Sequence, residues 1–289
     1  MDNWKKLLTF MSKKIIVTHK WPDFDAVSAV WLIKKYLPGF KTAKIEFVSA
    51  GSTFKSQPVD SNPNIIHVDT GKGRFDHHQH QGETSAAKKV FEFLKNKNFI
   101  PKRDVEPLER IVKLITFFDN FKEIELKNPT ADLYDLLLPQ IIEGLNLYLK
   151  NDYQVIETSF ILLESLLLIM KNKVRAEKEI QQGLIFQTRW GKGFAIISGN
   201  EETVRYALKS GYAIVVRKDP NKGFLRIKAS PLSKVDLTKV YEILKKKDPS
   251  ATWFLHESKK MLLNGSAKNP TAKPTKLNLP PVIEVLKKV

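Results

Sequence analysis

Short apolar runs alternate with longer amphipathic segments over residues 13–121, and this alternation indicates a mainly parallel sheet with helices on its faces. The first run, K-K-I-I-V-T-H over 13–19, predicts a buried strand. The next segment, 25–37, has apolar residues three and four positions apart and is followed by Pro-Gly, as expected of an amphipathic helix. We therefore expect an α/β fold.

Further elements continue the same pattern. Strands are predicted over 43–50 and 64–69, and helices over 84–97 and 104–121. A long helical stretch, broken near Asn151, reaches Gln182, and Gly183 is a natural helix stop. Residues 1–183 are thus predicted to form an N-terminal domain with a helical connector.

Residues 184–289 have a different pattern. Strand pairs around polar turns are predicted over 184–198 and 212–228, the first turning at Trp190-Gly191-Lys192. Helices over 201–209 and 237–247 separate them, and 264–279 reads as an ordered loop or extended tail. These features predict a smaller mixed α/β domain.

The positive charge of the chain is unevenly distributed. The formal net charge is +17, yet residues 184–289 hold 21 basic and 8 acidic side chains. Clustered positive charge favours polyanionic partners such as nucleic acid, although a solvated basic face has the same composition. The second domain is therefore the candidate substrate-binding domain.

The composition also excludes some classes of protein and of site. There is no cysteine, so disulfides, thiolate metal sites and cysteine nucleophiles are excluded, and a cytoplasmic location is expected. Residues 1–10 do not resemble a signal peptide. The longest apolar run, 160–170, contains Glu164 and is shorter than the roughly 20 residues that a membrane helix needs, so we predict a buried helix and no membrane contact.

The histidines are concentrated in one part of the chain. Five of the six lie between His19 and His80, and His256 is the exception. His19 ends the first predicted strand and is followed by W-P-D-F-D, which places Asp23 and Asp25 before a helix. Ligands of open α/β sheets bind at the carboxyl ends of strands. Taken alone, these two aspartates could equally be a turn residue and a helix cap.

A second group of such residues follows the third predicted strand. That strand ends at Asp69, and F-D-H-H-Q follows. Imidazole with several carboxylates suits Mn²⁺ first, with Mg²⁺, Co²⁺, Fe²⁺ or Zn²⁺ as alternatives. The carboxylates are too many for one ion, and two metals about 3.5 to 4 Å apart are usual for displacement at phosphorus. A phosphoester or phosphoanhydride substrate is expected.

The order T-H-K-W-P-D-F-D-A, V-D-T, F-D-H-H and F-F-D-N resembles the motif series of the DHH phosphoesterases. The resemblance covers residues 13 to 125 and includes RecJ-like nucleases, oligoribonucleases and manganese pyrophosphatases among the family's members. It implies that His19 and Asp23 hold one metal, and that Asp25, His77 and Asp119 hold the other. Asp69 would bridge the two metals.

The resemblance also implies roles beside the metals. His78 would face the phosphate as a catalytic group, and Asp76 would orient the neighbouring imidazoles. His67 and His80 are expected to pack or to support the ligands. A looser similarity in the second domain gives the candidate substrate-binding residues Arg226, Lys228, His256, Lys259 and Lys260.

Three functions remain open at this stage. The first is a two-metal phosphodiester hydrolase, an exonuclease or short-oligonucleotide phosphodiesterase, with nucleic acid as its substrate. The second is a hydrolase of pyrophosphate or polyphosphate, and the third is a non-catalytic basic nucleic-acid-binding protein with a metal site. A homodimer is one option for the assembly.

Overall fold

The computed structural model describes residues 14–266 and 268–289. The chain divides into two compact units, one ending at Lys171 and the other beginning at Asn172. The described residues form a parallel three-stranded sheet, a mixed six-stranded sheet and eight α-helices, as the predicted α/β class requires. The predicted domain boundary at 183/184 and the domain roles stay predictions, and the signal-peptide reading of 1–10 concerns residues outside the described ranges.

The first unit is built on a small parallel sheet. Its strands are β1 (Ile15–His19), β2 (Lys44–Val48) and β3 (Ile65–His67), in the order β2-β1-β3. Since all three run in the same direction, their carboxyl ends meet at one edge of the sheet. His19, the last residue of β1, lies at this edge.

Three helices complete the core of the first unit: α1 (Phe24–Tyr36), α2 (Ala86–Asn96) and α3 (Lys102–Asp119). Helix α1 is buried on nearly all sides, as its run of apolar residues requires. Asp23 caps α1 by accepting the backbone N–H of Ala26 at 2.9 Å. This cap fixes where the loop after β1 ends.

Two further helices follow, α4 (Leu138–Leu149) and α5 (Asp152–Glu179). One face of α5 is buried, while Ile161, Leu168 and Ile169 are exposed on the other, so the predicted buried helix over 160–170 is only half buried. Its length and composition alone would let it cross a membrane, and among the described helices no other has this property. A core helix of a soluble protein passes the same test, so this is weak evidence for a membrane span.

The second unit contains the mixed sheet. Its strands are β4 (Leu184–Thr188), β5 (Gly191–Ile197), β6 (Ile214–Lys218), β7 (Leu225–Ala229), β8 (Phe254–Leu255) and β9 (Met261–Asn264). The order is β4-β5-β6-β7-β9-β8, with β5 and β6 parallel and the other pairs antiparallel. Its helices are α6 (Glu201–Lys209), α7 (Thr238–Lys247) and α8 (Leu279–Lys288).

The structure corrects the sequence-based elements at three places. Gly191 and Lys192 belong to β5, so the first turn is one step earlier than predicted. The short strands β8 and β9 and the helix α8 were not predicted. The stretch between β9 and α8 is an ordered loop, because the Asn264 side chain donates to the carbonyls of Thr252 and Lys273 and accepts the N–H of Thr275.

Candidate metal centre

Histidine and aspartate side chains from four segments meet beside the carboxyl edge of the parallel sheet. Three groups offer ligand atoms within 4.8 Å of one another. The groups are His19 with Asp23 and Asp69, Asp25 with His77 and Asp119, and Asp69 with His77 and His78. The first two match the division that the DHH resemblance implies, while metal ligation itself stays a prediction.

Asp69 lies between the two clusters. Its Oδ2 is 3.1 Å from His19 Nε2, and its Oδ1 is 3.2 Å from His77 Nε2. The residue is buried and has a left-handed backbone, φ +54°, held by its N–H bond to the carbonyl of Phe75. Such a backbone costs on the order of 1–3 kcal/mol and is found mostly at functional sites. Asp69 is therefore the central carboxylate of the centre.

The ring of His19 is oriented by the backbone. Its Nδ1 donates to the carbonyl of Lys20 at 2.9 Å, so Nε2 is the atom turned toward Asp69 and Asp23. This is how metal-binding histidines are usually held. Burial alone would lower the pKa of His19, but the hydrogen bond to Asp69 prevails and raises it to about 9.

Asp25 joins two helices as well as facing the centre. Its Oδ2 accepts the N–H of Ala86 at 2.6 Å, and its Oδ1 accepts the N–H of Ala87 at 2.9 Å. The sequence suggested a cap for α1, but the structure gives that role to Asp23, and Asp25 binds the first turn of α2 instead. Burial raises the pKa of Asp25, and the neighbouring carboxylates add to this rise.

His77 Nε2 lies among three carboxylates. It is 3.2 Å from Asp69, 3.6 Å from Asp119 and 3.8 Å from Asp25. The hydrogen bond to Asp69 is the largest cause that raises the pKa of His77 to about 9. Asp119, the last residue of α3, is turned inward rather than lying on a solvated edge, and burial raises its pKa to about 7.

His78 and Asp76 form a pair next to the two clusters. The His78 ring donates from Nδ1 to Asp76 Oδ1 at 2.7 Å, and the backbone N–H of His78 donates to the same oxygen. Asp76 is buried, and its bonds to His78 outweigh that burial and lower its pKa. The His78 side chain is 59% exposed, so its ring is oriented by Asp76 yet open to solvent.

The cluster lines a cavity of about 320 Å³. Ala50, Gly51 and Lys72 also line it, and sequence reasoning missed all three. The signal for Lys72 was its place in T-G-K-G-R between Asp69 and the D-H-H triplet. Its backbone N–H donates to Asp76 Oδ2 at 2.6 Å. Two larger grooves of this unit, of about 690 and 810 Å³, contain none of the clustered residues.

The two remaining histidines of this unit are in none of the three groups. His67 is buried in β3, and its Nε2 accepts the N–H of Phe54 at 3.0 Å. His67 thus holds the loop after β2. His80 is exposed, and its backbone N–H donates to the carbonyl of His77.

The candidate substrate-binding residues belong to the second unit. Arg226 pairs with Glu201, which also contacts Arg217 at 3.1 Å, and the Lys260 ammonium donates to the carbonyl of Ser233. The predicted residues that are exposed or partly exposed without such a pairing are Lys228, His256 and Lys259. His256 Nδ1 accepts the N–H of Ser258 at 3.1 Å. Arg226 and Lys260 thus have structural partners.

Comparisons with known proteins add little to this geometry. No family model matches the sequence, and no curated protein matches it significantly. Among solved structures, the chain is similar to RecJ from Thermus thermophilus in complex with Mg²⁺, with 11% identity and a TM-score of 0.35. The match covers 96% of this chain and 49% of that one, so the chain spans about half the length of that protein. At this TM-score the likeness carries no further conclusion.

Proposed function

We propose that this protein is a two-metal-dependent phosphodiester hydrolase, acting as an exonuclease or on short oligonucleotides. The observation that carries the proposal is the position of Asp69, with one oxygen 3.1 Å from His19 Nε2 and the other 3.2 Å from His77 Nε2. One carboxylate between two His/Asp clusters is the arrangement that a pair of metal ions requires.

The residues present fit divalent metal ions. Asp69 Oδ1 and Asp119 Oδ2 are buried and accept no hydrogen bond from the described residues, although a buried carboxylate oxygen normally has a partner. Imidazole and carboxylate donors suit Mn²⁺, with Mg²⁺, Co²⁺, Fe²⁺ and Zn²⁺ as alternatives. His19, Asp23 and Asp69 would hold one ion, and Asp25, His77, Asp119 and Asp69 the other.

When bound, the ions would offset negative charge on the phosphoryl oxygens and make water more acidic. The remaining tasks belong to His78 and Asp76. Asp76 receives the Nδ1 proton of His78, which leaves Nε2 of the exposed ring to contact the phosphate. A protonated His78 would donate to a phosphoryl oxygen or to the leaving oxygen as the P–O bond breaks.

The small cavity also suits a phosphoanhydride, which makes hydrolysis of pyrophosphate or polyphosphate the second candidate. Against it, the basic second unit suits a longer polyanion, whose remote phosphates would contact exposed lysines such as Lys228 and Lys259. A cytoplasmic location and a homodimer stay predictions beside this proposal.

The test is hydrolysis by metal-free protein reloaded with Mn²⁺, measured on short oligonucleotides, cyclic dinucleotides, pyrophosphate and polyphosphate. We expect activity on oligonucleotides that EDTA abolishes and Mn²⁺ restores. His77→Ala should be inactive and His80→Ala active, as a matched pair from the same loop. Metal-loaded parent protein that hydrolyses none of these substrates would refute the proposal, and cleavage of the anhydrides alone would favour the second candidate.

A further inference from the structure

Trp21 has an unusual conformation beside the metal centre. It lies in the loop between β1 and α1, two residues after His19 and two before Asp23. Its backbone is left-handed, φ +56°, which is rare for a bulky side chain. Its side chain is also one of the large hydrophobic groups that stay exposed, at 45%. Strain and exposure together need an explanation.

Hydrogen bonds fix the orientation of this residue. Its backbone N–H donates to Asp152 Oδ1 at 3.0 Å, and its indole Nε1–H donates to Glu143 Oε1 at 3.2 Å. Next to it, the carbonyl of Pro22 accepts the buried side-chain amide of Asn146. The loop is therefore held against α4 and α5, and the indole has one pinned polar edge.

Packing and loop fixation do not account for the exposed ring. The backbone bond to Asp152 and the bond to Pro22 would hold the loop with a smaller residue at position 21. A left-handed backbone costs on the order of 1–3 kcal/mol, and that cost is greatest for a bulky side chain. An aromatic ring that is rigidly held and partly open has the properties of a binding surface.

The position of Trp21 suits the base of a nucleotide. Two residues of chain span at most roughly 7 Å, so Trp21 lies at the rim of the site that His19 and Asp23 supply. The described residues that line the cavity include no aromatic ring except the imidazoles. Glu143 and Asp152 at its polar edge are acidic, which disfavours a phosphate there and leaves the ring for an uncharged group.

We propose that Trp21 stacks on the nucleobase next to the phosphate that occupies the metal centre. Base–aromatic stacking contributes about 1–3 kcal/mol per base, and every base has a π-face. This inference rests on the proposed function and narrows it to substrates that carry a base. It thereby sets nucleotides apart from pyrophosphate and polyphosphate.

The test compares AMP with ribose 5-phosphate, which share sugar and phosphate and differ by the base. Binding of each to Mn²⁺-loaded protein is measured by calorimetry for the parent, Trp21→Leu and Trp21→Phe. We expect the parent to bind AMP about tenfold more tightly than ribose 5-phosphate, Trp21→Phe to keep most of this preference, and Trp21→Leu to lose it. Mn²⁺ affinity of each variant reports whether the loop is intact.

The outcomes separate this inference from the proposed function. Equal binding of AMP and ribose 5-phosphate by the parent would overturn the stacking role, even if Trp21→Leu does not fold. A preference that persists in Trp21→Leu would also overturn it and leave Trp21 a loop-fixing residue. A parent that binds the nucleotide but hydrolyses no phosphoester would refute the proposed function while leaving the stacking contact in place.

Discussion

The Oδ2 of Asp25 accepts the backbone N–H of Ala86 at 2.6 Å, which ties the start of α1 to the start of α2. Since α2 follows the D-H-H triplet, this bond also fixes the chain that leaves His77. Asp25 thus has a structural role that does not depend on metal, and this separates its contribution to stability from its candidate role as a ligand.

The first prediction concerns that structural role. Asp25→Ala leaves two buried N–H groups of α2 without acceptors, and the free energy of unfolding of the metal-free protein should fall by roughly 2 to 5 kcal/mol. Asp23→Ala removes an exposed cap and should cost about 1 kcal/mol. Urea denaturation in EDTA measures both. Equal losses for the two variants would contradict the role of Asp25 in joining the helices.

The second prediction concerns His78 and Asp76. His78→Ala should lower kcat by about 10² to 10⁴ and leave Mn²⁺ affinity nearly unchanged, because proton transfer typically contributes that much. Asp76→Asn should lower kcat less, since the amide still accepts from Nδ1 but stabilises the charged ring poorly. Steady-state kinetics with Mn²⁺ titration separates the two effects. If His78→Ala instead weakens Mn²⁺ binding as strongly as His77→Ala does, His78 is a ligand.

The third prediction concerns pH. His19 and His77 have pKa values of about 9 in the metal-free protein, and each must lose its proton before Nε2 binds metal. Apparent Mn²⁺ affinity should therefore rise with pH from 6.5 toward 9. The same raised pKa values stabilise the metal-free protein fully below 6.5, and this contribution is lost as the pH rises through 9.

It follows that the increase in Tm produced by Mn²⁺ should grow across this pH range. Differential scanning fluorimetry with and without Mn²⁺ measures it, with His80→Ala as the control that keeps the dependence. An Mn²⁺-induced shift that is constant between pH 6.5 and 9 would show that neither imidazole is a ligand.

The fourth prediction concerns salt. If Lys228 and Lys259 contact phosphates, replacing both with Ala should reduce the salt dependence of long-oligonucleotide binding by a log–log slope of about 2, one per contact. Dinucleotide binding should change little. Arg226→Ala and Lys260→Ala should also lower stability, because these side chains bind Glu201 and Ser233. Identical salt slopes for parent and double variant would mean that these lysines are only a solvated surface.

The sequence predicted the parts of the site that depend on local pattern. His19 and Asp69 end or follow apolar runs, and parallel strands bring such ends to one edge, so their proximity was predictable. The contact of Asp25 with α2 was not, because it joins residues 61 positions apart. Lys72 was missed for the same kind of reason, since its bond to Asp76 depends on the folded loop.

The fold shows the same division. The helix α8 was missed because Pro280 and Pro281 were read as loop residues, although proline is favoured in the first turn of a helix. The strands β8 and β9 are short and pair only within the assembled sheet, so no local alternation marks them. The conformation of Trp21 likewise depends on bonds to Glu143 and Asp152, which are more than a hundred positions away.

The measurement that tests the central claim most directly is the number of Mn²⁺ ions bound per chain at saturation, with EPR to detect coupling between them. The account predicts two coupled ions in the parent and in His80→Ala. It predicts loss of the coupled pair in Asp69→Ala, because Asp69 lies between both clusters. Fewer than one ion per chain in the parent, or a coupled pair that persists in Asp69→Ala, would contradict a two-metal centre bridged by Asp69.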